Sequence, residues 1–446
     1  MKKTIVLIGA GSAMFGLGTV GDILKSEPLK GSHIVLHDIN AQTLDTVTRV
    51  VQKEINEKNL PYTVSATTSR QEALQGADFC VISIEVGNRF DLWEQDWKTP
   101  LLYGFHQIYG ENGGPGGLFH SLRIIPPILE ICGDINTICP DAYVFNFSNP
   151  MTRICLAINR KYPNLKVIGL CHEIASIPHH LPHILNTPLS NLSFRAGGLN
   201  HFSVLLDVIY KDTGQDAYPD LRANAPAYFE HTPSVADLFE EAFGGAQALS
   251  SKRFWSGRWL FKEILERFGY LPITDDSHFG EYIQWAYDTA DHQDIENFYN
   301  RYKKWSLELA VPESRIAGTK ESEYWRAIPI IEGIIGDTHQ EEHAVNIMNN
   351  GLINNLPQDL AVEVPAIVDK NGVHGVKLGN LPKGIAGLLN NQAATIDLTA
   401  EAAITGSREI VFQALLLDPV VDSVRRAEAL LDTMLELQKK YLGYIQ

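Results

Sequence analysis

The first 195 residues repeat one pattern, and this repetition is the feature that most constrains the fold. A short apolar run rich in β-branched residues ends in a turn, and a helical pattern follows it. Runs such as Ile5-Val6-Leu7-Ile8 are apolar at every position, which is typical of strands buried on both faces of a parallel sheet. The candidate strands are residues 3–8, 33–38, 63–66, 79–84, 142–147 and 166–170. Strands that alternate with helices predict βαβ units and an open, doubly wound α/β sheet.

The pattern changes after about residue 195, where the elements become longer and aromatic residues more frequent. We therefore predict two domains: residues 1–195 carry the doubly wound sheet, and residues 196–446 form a mixed, mostly helical α+β domain. In the second domain, Asn371-Gly372 between two apolar runs predicts a hairpin. A final helix over about residues 420–442 is expected to bury one apolar face. That face consists of Leu430, Leu431, Met434 and Leu437.

The composition argues against several classes of partner. The 446-residue chain has 37 basic and 53 acidic residues, and a formal net charge of −16 with His neutral. No basic stripe is present, which argues against nucleic acid and against an anionic membrane as partners. No apolar run approaches the length of about 18 residues that a membrane span requires. Five scattered cysteines and no secretory signal indicate the reducing cytoplasm.

The turn after the first predicted strand indicates a Rossmann-type nucleotide site. Gly9 allows the tight turn, and Gly11 lets the backbone, with Ser12, approach a pyrophosphate at a helix N-terminus. Met14 replaces the third glycine of the usual motif, so the motif is incomplete. Asp38, at the end of the second strand, can accept hydrogen bonds from a ribose 2′-hydroxyl, which favours NAD over NADP. The alternative is a tight turn followed by a helix-capping Asp.

Polar residues follow the last two predicted strands, and ligands of open α/β sheets bind beyond the carboxyl ends of their strands. Asn149 follows the fifth strand, Cys171-His172-Glu173 follows the sixth, and His201 stands near the start of the next one. Cys171 and His201 can together hold a divalent metal and leave coordination positions for water and substrate. In the alternative interpretation, Cys171 is a small buried apolar residue.

Residues 109–117 are rich in glycine, with five glycines between positions 110 and 117. This density predicts a loop with unusual backbone angles or with close approach of a ligand. The loop carries one acidic residue, Glu111. The alternative is an ordinary surface turn.

Taken in this order, the motifs resemble glycoside hydrolase family 4, whose members are NAD- and metal-dependent glycosidases. The resemblance extends along nearly the whole chain. It rests on Gly9-Ala10-Gly11-Ser12, Glu111 with Gly114-Pro115-Gly116-Gly117, Asn149-Pro150, Cys171-His172-Glu173, Gly198-Leu199-Asn200-His201-Phe202 and Val362-Glu363-Val364-Pro365. It implies NAD+ and Mn2+, or another divalent metal, as cofactors. It also implies a small-molecule glycoside as substrate and a homodimer or homotetramer.

The resemblance further implies a redox route of glycoside cleavage, which differs from displacement by two carboxylates. Oxidation of the sugar at C3 by NAD+ acidifies the C2 proton. A base removes that proton, and the leaving group on C1 is eliminated with help from an acid. Water then adds and the hydride returns, so that NAD is not consumed. The metal would bind the C2 and C3 oxygens and stabilise the enediolate.

Several residue roles follow from the same resemblance. Cys171 and His201 match the family's metal ligands. Asn149 and Asn200 are expected to bind the sugar, and Glu111 matches an acidic residue that faces it. A thiolate is a soft ligand for Mn2+, which suits loose metal binding and sensitivity to oxidation.

The general base is expected on the helix that precedes Phe268-Gly269. Family members carry a Tyr or a carboxylate there, and Lys262 and Glu263 occupy the place in this chain. We favour Glu263, because a Lys needs a lowered pKa to act as a base. Both residues alternatively belong to a solvated helix face. His278 follows in a segment similar to the family's His-x-x-Glu-Tyr/Phe, where it either contacts the sugar or has a structural role.

The sugar is the least constrained feature. Cys171-His172-Glu173-Ile174 is most similar to a subgroup of α-galacturonidases, and His172 stands where the 6-phosphoglycosidase members carry Asp or Asn. We therefore expect an α-galacturonidase-like α-glycosidase that acts on unphosphorylated sugars, with His172 among its catalytic residues. The cations available for a uronate carboxylate are Arg89, Lys252, Arg253 and Arg258. Because the subgroup's Arg beside His278 is missing, an α-galactoside or α-glucoside is the alternative.

Two other classes of protein also fit parts of the pattern. An NAD-dependent 2-hydroxyacid dehydrogenase would share the nucleotide-binding fold, but its usual Gly-x-His-Gly-Asp segment is absent from this sequence. A non-catalytic NAD sensor would also share the fold. Neither class needs a thiol as a metal ligand.

Overall fold

A computed structural model describes residues 2–12, 16–232, 257–308, 316 and 327–446. All the strands predicted in the first 195 residues are present, with ends that differ by at most two residues. They are β1 (Thr4–Ile8), β2 (His33–His37), β3 (Thr63–Thr67), β4 (Phe79–Ile82), β5 (Tyr143–Asn146) and β6 (Lys166–Gly169). They pair in parallel in the order β3-β2-β1-β4-β5-β6, which is the order of a dinucleotide-binding Rossmann sheet.

Helices connect these strands, as the alternation of patterns predicts. They are α1 (Gly16–Lys25), α2 (Ala41–Glu57), α3 (Arg70–Ala73), α4 (Arg89–Leu102), α5 (Gly114–Ile138) and α6 (Met151–Lys161). Every residue of β4 is buried, as expected for a strand that is covered on both faces. The predicted fold class is therefore confirmed.

The sheet continues beyond the parallel strands into the second half of the chain. It adds β7 (Leu192–Leu199), β8 (Phe202–Tyr210), β9 (Gln340–Met348), β10 (Ala361–Asp369) and β11 (Gly372–Gly375). These strands are antiparallel to their neighbours, and β9 pairs with β6, so that the order continues β6-β9-β10-β7-β8. One continuous sheet therefore crosses the predicted boundary at residue 195, and the division into two domains stays a prediction.

The second half is otherwise largely helical. The α-helices among its described residues are α7 (Ser176–Leu185), α8 (Tyr218–Phe229), α9 (Trp259–Phe268), α10 (Asp276–Phe279), α11 (His292–Glu308), α12 (Ala327–Gly336), α13 (Lys383–Thr405), α14 (Arg408–Leu417), α15 (Val424–Leu437) and α16 (Lys439–Leu442). Among the described residues, no helix has the length and apolar character needed to cross a membrane.

The hairpin and the final helix can be compared with their predictions. β10 and β11 pair antiparallel around Asn371, which confirms the hairpin. The predicted final helix is divided, because α15 ends at Leu437 and a short α16 follows. Leu430, Leu431 and Met434 are fully buried, whereas Leu437 is 49% exposed. The prediction was wrong for Leu437, which lies in the last turn and extends beyond the packed face.

The glycine-rich segment confirms the expected unusual backbone angles, since Gly110 has a φ of +67° and Gly114 one of +65°. Its last part is not a loop, because Gly114 begins α5 and residues 114–117 are helical. The glycines are required by contacts within the protein. A Cβ on Gly116 would lie 2.6 Å from the carbonyl oxygen of Asp96, and one on Gly117 would lie 2.4 Å from the carbonyl carbon of Asn112. The helix therefore packs at its N-terminus closely against neighbouring backbone.

Candidate active site

The turn after β1 has the geometry of a phosphate-binding turn. Gly9 has a φ of +87°, and a Cβ there would lie 2.1 Å from the carbonyl oxygen of Ser83. The backbone N–H of Gly11 donates to Oδ2 of Asp38 at 2.9 Å. Oδ1 of the same carboxylate accepts from the backbone N–H of Asn40 at 2.8 Å. Asp38 thus fixes the turn, and its place at the end of β2 suits a ribose hydroxyl, so these residues fit a dinucleotide. Met14 lies outside the described residues.

One large cleft, of about 1640 Å³, connects this turn with the predicted metal and sugar residues. Ten of the sequence-predicted site residues line it: Gly9, Gly11, Ser12, Asp38, Glu111, Asn149, Cys171, His172, His201 and His278. Lys262, Glu263 and Asn200 do not line it. Most of the predicted site is therefore brought together in one place, as the rule about the carboxyl ends of strands predicts.

Cys171 and His201 meet in this cleft from opposite parts of the sheet. Cys171 follows β6, and His201 lies in the two-residue turn between β7 and β8 with a φ of +62°. A positive φ is unfavourable for His, and such residues are concentrated at functional sites. Sγ of Cys171 lies 3.2 Å from Nε2 of His201, and Oε1 of Glu173 lies 3.5 Å from the same nitrogen.

The donor set of this cluster fits a divalent cation. One ligand atom from each of Cys171, Glu173 and His201 lies within 4.8 Å of the others, which is the spacing of atoms around one metal ion. Oε2 of Glu173 and Oδ1 of Asn149 are buried and have no hydrogen-bond partner among the described residues. Buried acceptors without a donor are costly, and a cation would satisfy them.

The shell behind the metal cluster contains Asn200 and Glu363. Asn200 is buried, and its Nδ2 donates to Oε2 of Glu363 at 2.9 Å. Glu363 also accepts from Oγ of Ser203 at 2.8 Å and from Nδ2 of Asn346 at 3.1 Å. Burial raises the pKa of Glu363, and these hydrogen bonds oppose the rise. Asn200 does not itself line the cleft, but its side chain holds the β7–β8 turn through Glu363 and hydrogen-bonds Cys171, which does line it.

His278 stands at the centre of a group of carboxylates. Its Nε2 lies 3.1 Å from Oε2 of Glu111, and its Nδ1 lies 3.2 Å from Oε1 of Glu173 and 3.6 Å from Oδ1 of Asp275. Burial alone would lower the pKa of His278, but Glu173 and the other two carboxylates hold it well above the usual value. The protonated form of His278 is therefore favoured, while burial holds the pKa of Glu173 itself well above its usual value.

Glu111 is held on its other side by Arg89. Nη2 of Arg89 lies 2.5 Å from Oε1 of Glu111, and its Nη1 donates to the hydroxyl of Tyr302 at 3.0 Å. Although burial raises the pKa of Glu111, Arg89 and His278 hold it well below its usual range. Glu85 lies 3.4 Å from the same guanidinium. Glu111 is thus ionised and fixed between two cations.

Asp275 is a site residue that the sequence analysis missed. It lines the cleft, and its Oδ1 accepts from the backbone N–H groups of Ser277 and His278 at 3.0 and 3.3 Å. Burial raises its pKa, but His278 and Ser277 lower it to about 2.

The neighbouring Asp276 instead points back and accepts from the N–H groups of Leu260 and Phe261 at the start of α9. An Asp-x-Ser capping pattern beside His278 was the available signal.

Lys262 and Glu263, the predicted base residues, do not line the cleft. Phe261 of α9 faces the cleft, whereas the next two residues turn away from it, since each helical residue is rotated by about 100°. Lys262 lies 3.8 Å from Glu266, and Glu263 lies 2.9 Å from Arg267, both as (i, i+4) pairs. The structure therefore corrects the expected position of Lys262 and Glu263, which form an outer helix face.

Of the four cations considered for a uronate carboxylate, Arg89 and Arg258 line the cleft. Lys252 and Arg253 lie outside the described residues. Arg258 is buried, and burial lowers its pKa, whereas Asp275, Asp294 and Asp276 raise it. Arg89 and Arg258 are thus accompanied by carboxylates of the protein itself. Arg70 and Arg123 also line the cleft, and they pair with Asp134 and Asp96.

His172 lies between the cleft and the protein interior. Burial, together with His278, lowers its pKa to about 4, against the influence of Glu111. It starts the short turn over Glu173–Ala175 that leads into α7. His172 is thus neutral, and its ring can act as a hydrogen-bonding group at the wall of the cleft.

Comparison with known proteins gives consistent matches along the chain. A family model described as "Family 4 glycosyl hydrolase" matches residues 4–187, and one described as "Family 4 glycosyl hydrolase C-terminal domain" matches residues 196–421. An α-glucosidase of Erwinia rhapontici is 51% identical over the full length of both chains. An α-galacturonidase of Thermoanaerobacterium saccharolyticum is 28% identical over 98% of this chain and 96% of that one. The crystal structure of a 6-phospho-α-glucosidase from gut microorganisms, in complex with NAD and Mn2+, has a TM-score of 0.81 at 22% identity over 98% of both chains.

Proposed function

Because the chain belongs to glycosyl hydrolase family 4, we propose that it hydrolyses an unphosphorylated α-glucoside with NAD+ and a divalent cation as cofactors. The observation that carries this proposal is the single cleft that joins the glycine turn at Gly9 to the cluster of Cys171, Glu173 and His201. The full-length similarity to an α-glucosidase at 51% identity supports the choice of sugar.

The cofactors are inferred from the fit of the site and from the likeness to a structure that holds NAD and Mn2+. When bound, the nicotinamide would supply reversible oxidation of the sugar at C3, and the cation would stabilise negative charge on the sugar oxygens. Gly9, Gly11 and Asp38 would hold the dinucleotide, while Cys171 and His201 would hold the cation. Asn149, whose Oδ1 faces no donor among the described residues, is proposed to contact cation or sugar.

We assign the base that removes the C2 proton to Asp275. It lines the cleft beside His278, and it is ionised at neutral pH, which is the state that a base requires. Glu263 and Lys262 do not reach the cleft. Glu111, with His278, and His172 remain the candidates for assisting the departure of the C1 oxygen.

The carboxylates that accompany Arg89 and Arg258 favour a neutral sugar. Arg89 is paired with Glu111 and lies close to Glu85, and Arg258 lies among three aspartates. A uronate or phosphate would have to compete with these carboxylates for each arginine. The second candidate is an α-galacturonide, since Cys171-His172-Glu173-Ile174 is similar to that subgroup. The galacturonide preference is not confirmed, because the α-galacturonidase relative is only 28% identical.

The proposal can be tested by hydrolysis of p-nitrophenyl α- and β-glycosides, neutral disaccharides and digalacturonate. Each reaction is run with and without NAD+, Mn2+ and a reductant. We expect cleavage of an α-glucoside that requires both cofactors, with one deuterium from D2O at C2 of the sugar product. Cleavage of digalacturonate alone would favour the second candidate. Net accumulation of NADH with a hydroxy acid, without glycoside cleavage, would contradict the glycosidase proposal.

Two variants separate the candidate bases. Asp275→Asn is expected to reduce kcat by about 10²–10⁴, as loss of a general base does. Glu263→Gln is the matched control on the outer face of α9, and its kcat should be unchanged. If Glu263→Gln were inactive and Asp275→Asn active, the assignment of the base would be reversed.

A further inference from the structure

We propose that Glu173 is a third protein ligand of the divalent cation, and that cation binding moves its carboxylate from His278 to the metal. The inference rests on the proposed function, which places the cation at Cys171 and His201. It assigns to Glu173 a role that the sequence motif Cys171-His172-Glu173 does not itself reveal.

The geometry places Glu173 between two partners. Oε1 lies 3.5 Å from Nε2 of His201 and 3.2 Å from Nδ1 of His278. Oε2 is buried and has no hydrogen-bond partner among the described residues. A carboxylate that used both oxygens for structural contacts would show donors on each. One oxygen of Glu173 instead has no donor, and the carboxylate lies beside the thiol of Cys171 and the imidazole of His201.

The chemistry of the ligands points the same way. A thiolate and an imidazole are better suited to zinc or copper than to Mn2+ or Mg2+, which prefer oxygen donors. A carboxylate from Glu173 adds the hard oxygen that such an ion requires. Three protein ligands still leave coordination positions for two sugar oxygens and water, as a catalytic ion needs.

His278 is the side chain whose contacts would change when the cation binds. With Glu173 on the cation, His278 keeps its contacts to Glu111 at 3.1 Å and to Asp275 at 3.6 Å. It loses the carboxylate nearest to the metal, and its Nδ1 then has Oγ of Ser277 at 3.1 Å and Oδ1 of Asp275, the proposed base, as its partners. Occupancy of the metal site and readiness of the sugar site would therefore be coupled through one side chain.

The test is a titration of Mn2+ into the full-length chain loaded with NAD+, without substrate, followed by isothermal calorimetry and by EPR of free Mn2+. Glu173→Gln should raise the Kd for Mn2+ at least about 10-fold, since even outer-shell partners of a metal site contribute 10- to 100-fold. Glu173→Asp, which retains the carboxylate on a shorter side chain, should lie between wild type and Gln. Glu263→Gln should bind as wild type.

His278→Gln distinguishes a metal ligand from a residue that merely orients His278. If Glu173 only orients His278, then His278→Gln and Glu173→Gln should alter the Kd alike. Under our proposal, His278→Gln leaves the Kd unchanged or lowers it, because the competing partner is gone. An unchanged Kd in Glu173→Gln would overturn the inference.

Two readouts keep this inference separate from the proposed function and from misfolding. The NAD+ affinity should be the same in wild type and Glu173→Gln, and a single cooperative unfolding transition without metal should show that the variant is folded. A thiolate-to-metal absorption band with Co2+ should persist in that variant, because Cys171 still binds. If wild type showed neither Mn2+ binding nor this band, both the metal site and the role of Glu173 would be rejected.

Discussion

Nε2 of His278 lies 3.1 Å from Oε2 of Glu111, and this contact joins two segments that are 167 residues apart in the chain. Glu111 precedes α5, and His278 lies in α10. Hydrogen bonds join the same two segments nearby, since Oε2 of Glu281 accepts from the backbone N–H groups of Asn112 and Gly113 at 2.5 Å. The glycine-rich segment therefore holds Glu111 in a fixed position at Nε2 of His278, whose Nδ1 faces Asp275.

The first prediction concerns Glu111→Gln. The substitution leaves Arg89 and His278 without the carboxylate that lies between them, and a buried charge that loses its partner costs about 3–5 kcal/mol. We expect a lower free energy of unfolding, and kcat reduced by about 10²-fold or more. The measurements are chemical denaturation and steady-state kinetics. NAD+ affinity should be retained, and a variant with wild-type stability and kcat would contradict the role of Glu111.

The second prediction concerns the nucleotide turn. In Gly11→Ala the new Cβ would lie 2.5 Å from Cγ2 of Thr43 and 2.9 Å from Oδ2 of Asp38, so that Asp38 must move. We expect the Kd for NAD+ to rise at least about 10-fold, the equivalent of one lost hydrogen bond to a charged group. Gly387→Ala is the control, because its Cβ would meet nothing within 4 Å on α13. That control should bind NAD+ normally and gain up to about 1 kcal/mol in stability.

The third prediction concerns the shell behind the metal cluster. Glu363 accepts from Asn200, Ser203 and Asn346, and Gln at this position would direct an N–H₂ group at one of these donors. The turn that carries His201 should then shift. We expect Glu363→Gln to weaken Mn2+ binding by about 10- to 100-fold while NAD+ binding is unchanged. Calorimetric titration of both ligands checks this, and an unchanged Mn2+ affinity would show that Glu363 does not position His201.

The parallel part of the fold could be predicted because its signal is local. Each buried strand, such as Ile5-Val6-Leu7-Ile8, is apolar at every position, and the turn at Gly9 follows it directly. The extension of the sheet by β9 and β10 could not be predicted, because it depends on pairing between strands that are far apart in sequence. The same long-range packing explains Leu437, whose exposure depends on where α15 ends.

The candidate site likewise contains residues that could be predicted from local sequence and residues that could not. Asn149 and Cys171 could be placed in the cleft because each directly follows a parallel strand. Glu263 was misplaced because helical periodicity does not show which face of α9 meets the cleft, and Phe261 occupies that face. Asp275 was missed because only the folded chain separates its role from that of Asp276, whose carboxylate caps α9.

Asp418, which does not line the cleft, provides a test of buried charge. It follows α14, and its Oδ1 accepts from the backbone N–H of Val420 at 3.1 Å. Oδ2 is buried without a hydrogen-bond partner among the described residues. Burial raises the pKa of Asp418 to about 6, although the N–H of Val420 and the charge of Arg153 oppose the rise.

The last prediction is a pH-dependent gain in stability in Asp418→Asn. The folded chain holds the proton of Asp418 more tightly than the unfolded chain, whose pKa is about 3.8, so wild type loses stability as pH rises from about 4 through 6. Asn can keep the hydrogen bond to Val420 and carries no charge. The variant should therefore gain about 1 kcal/mol more, relative to wild type, at pH 8 than at pH 5. Urea unfolding at both pH values measures this difference, and an equal effect at both would show that the carboxyl does not titrate between them.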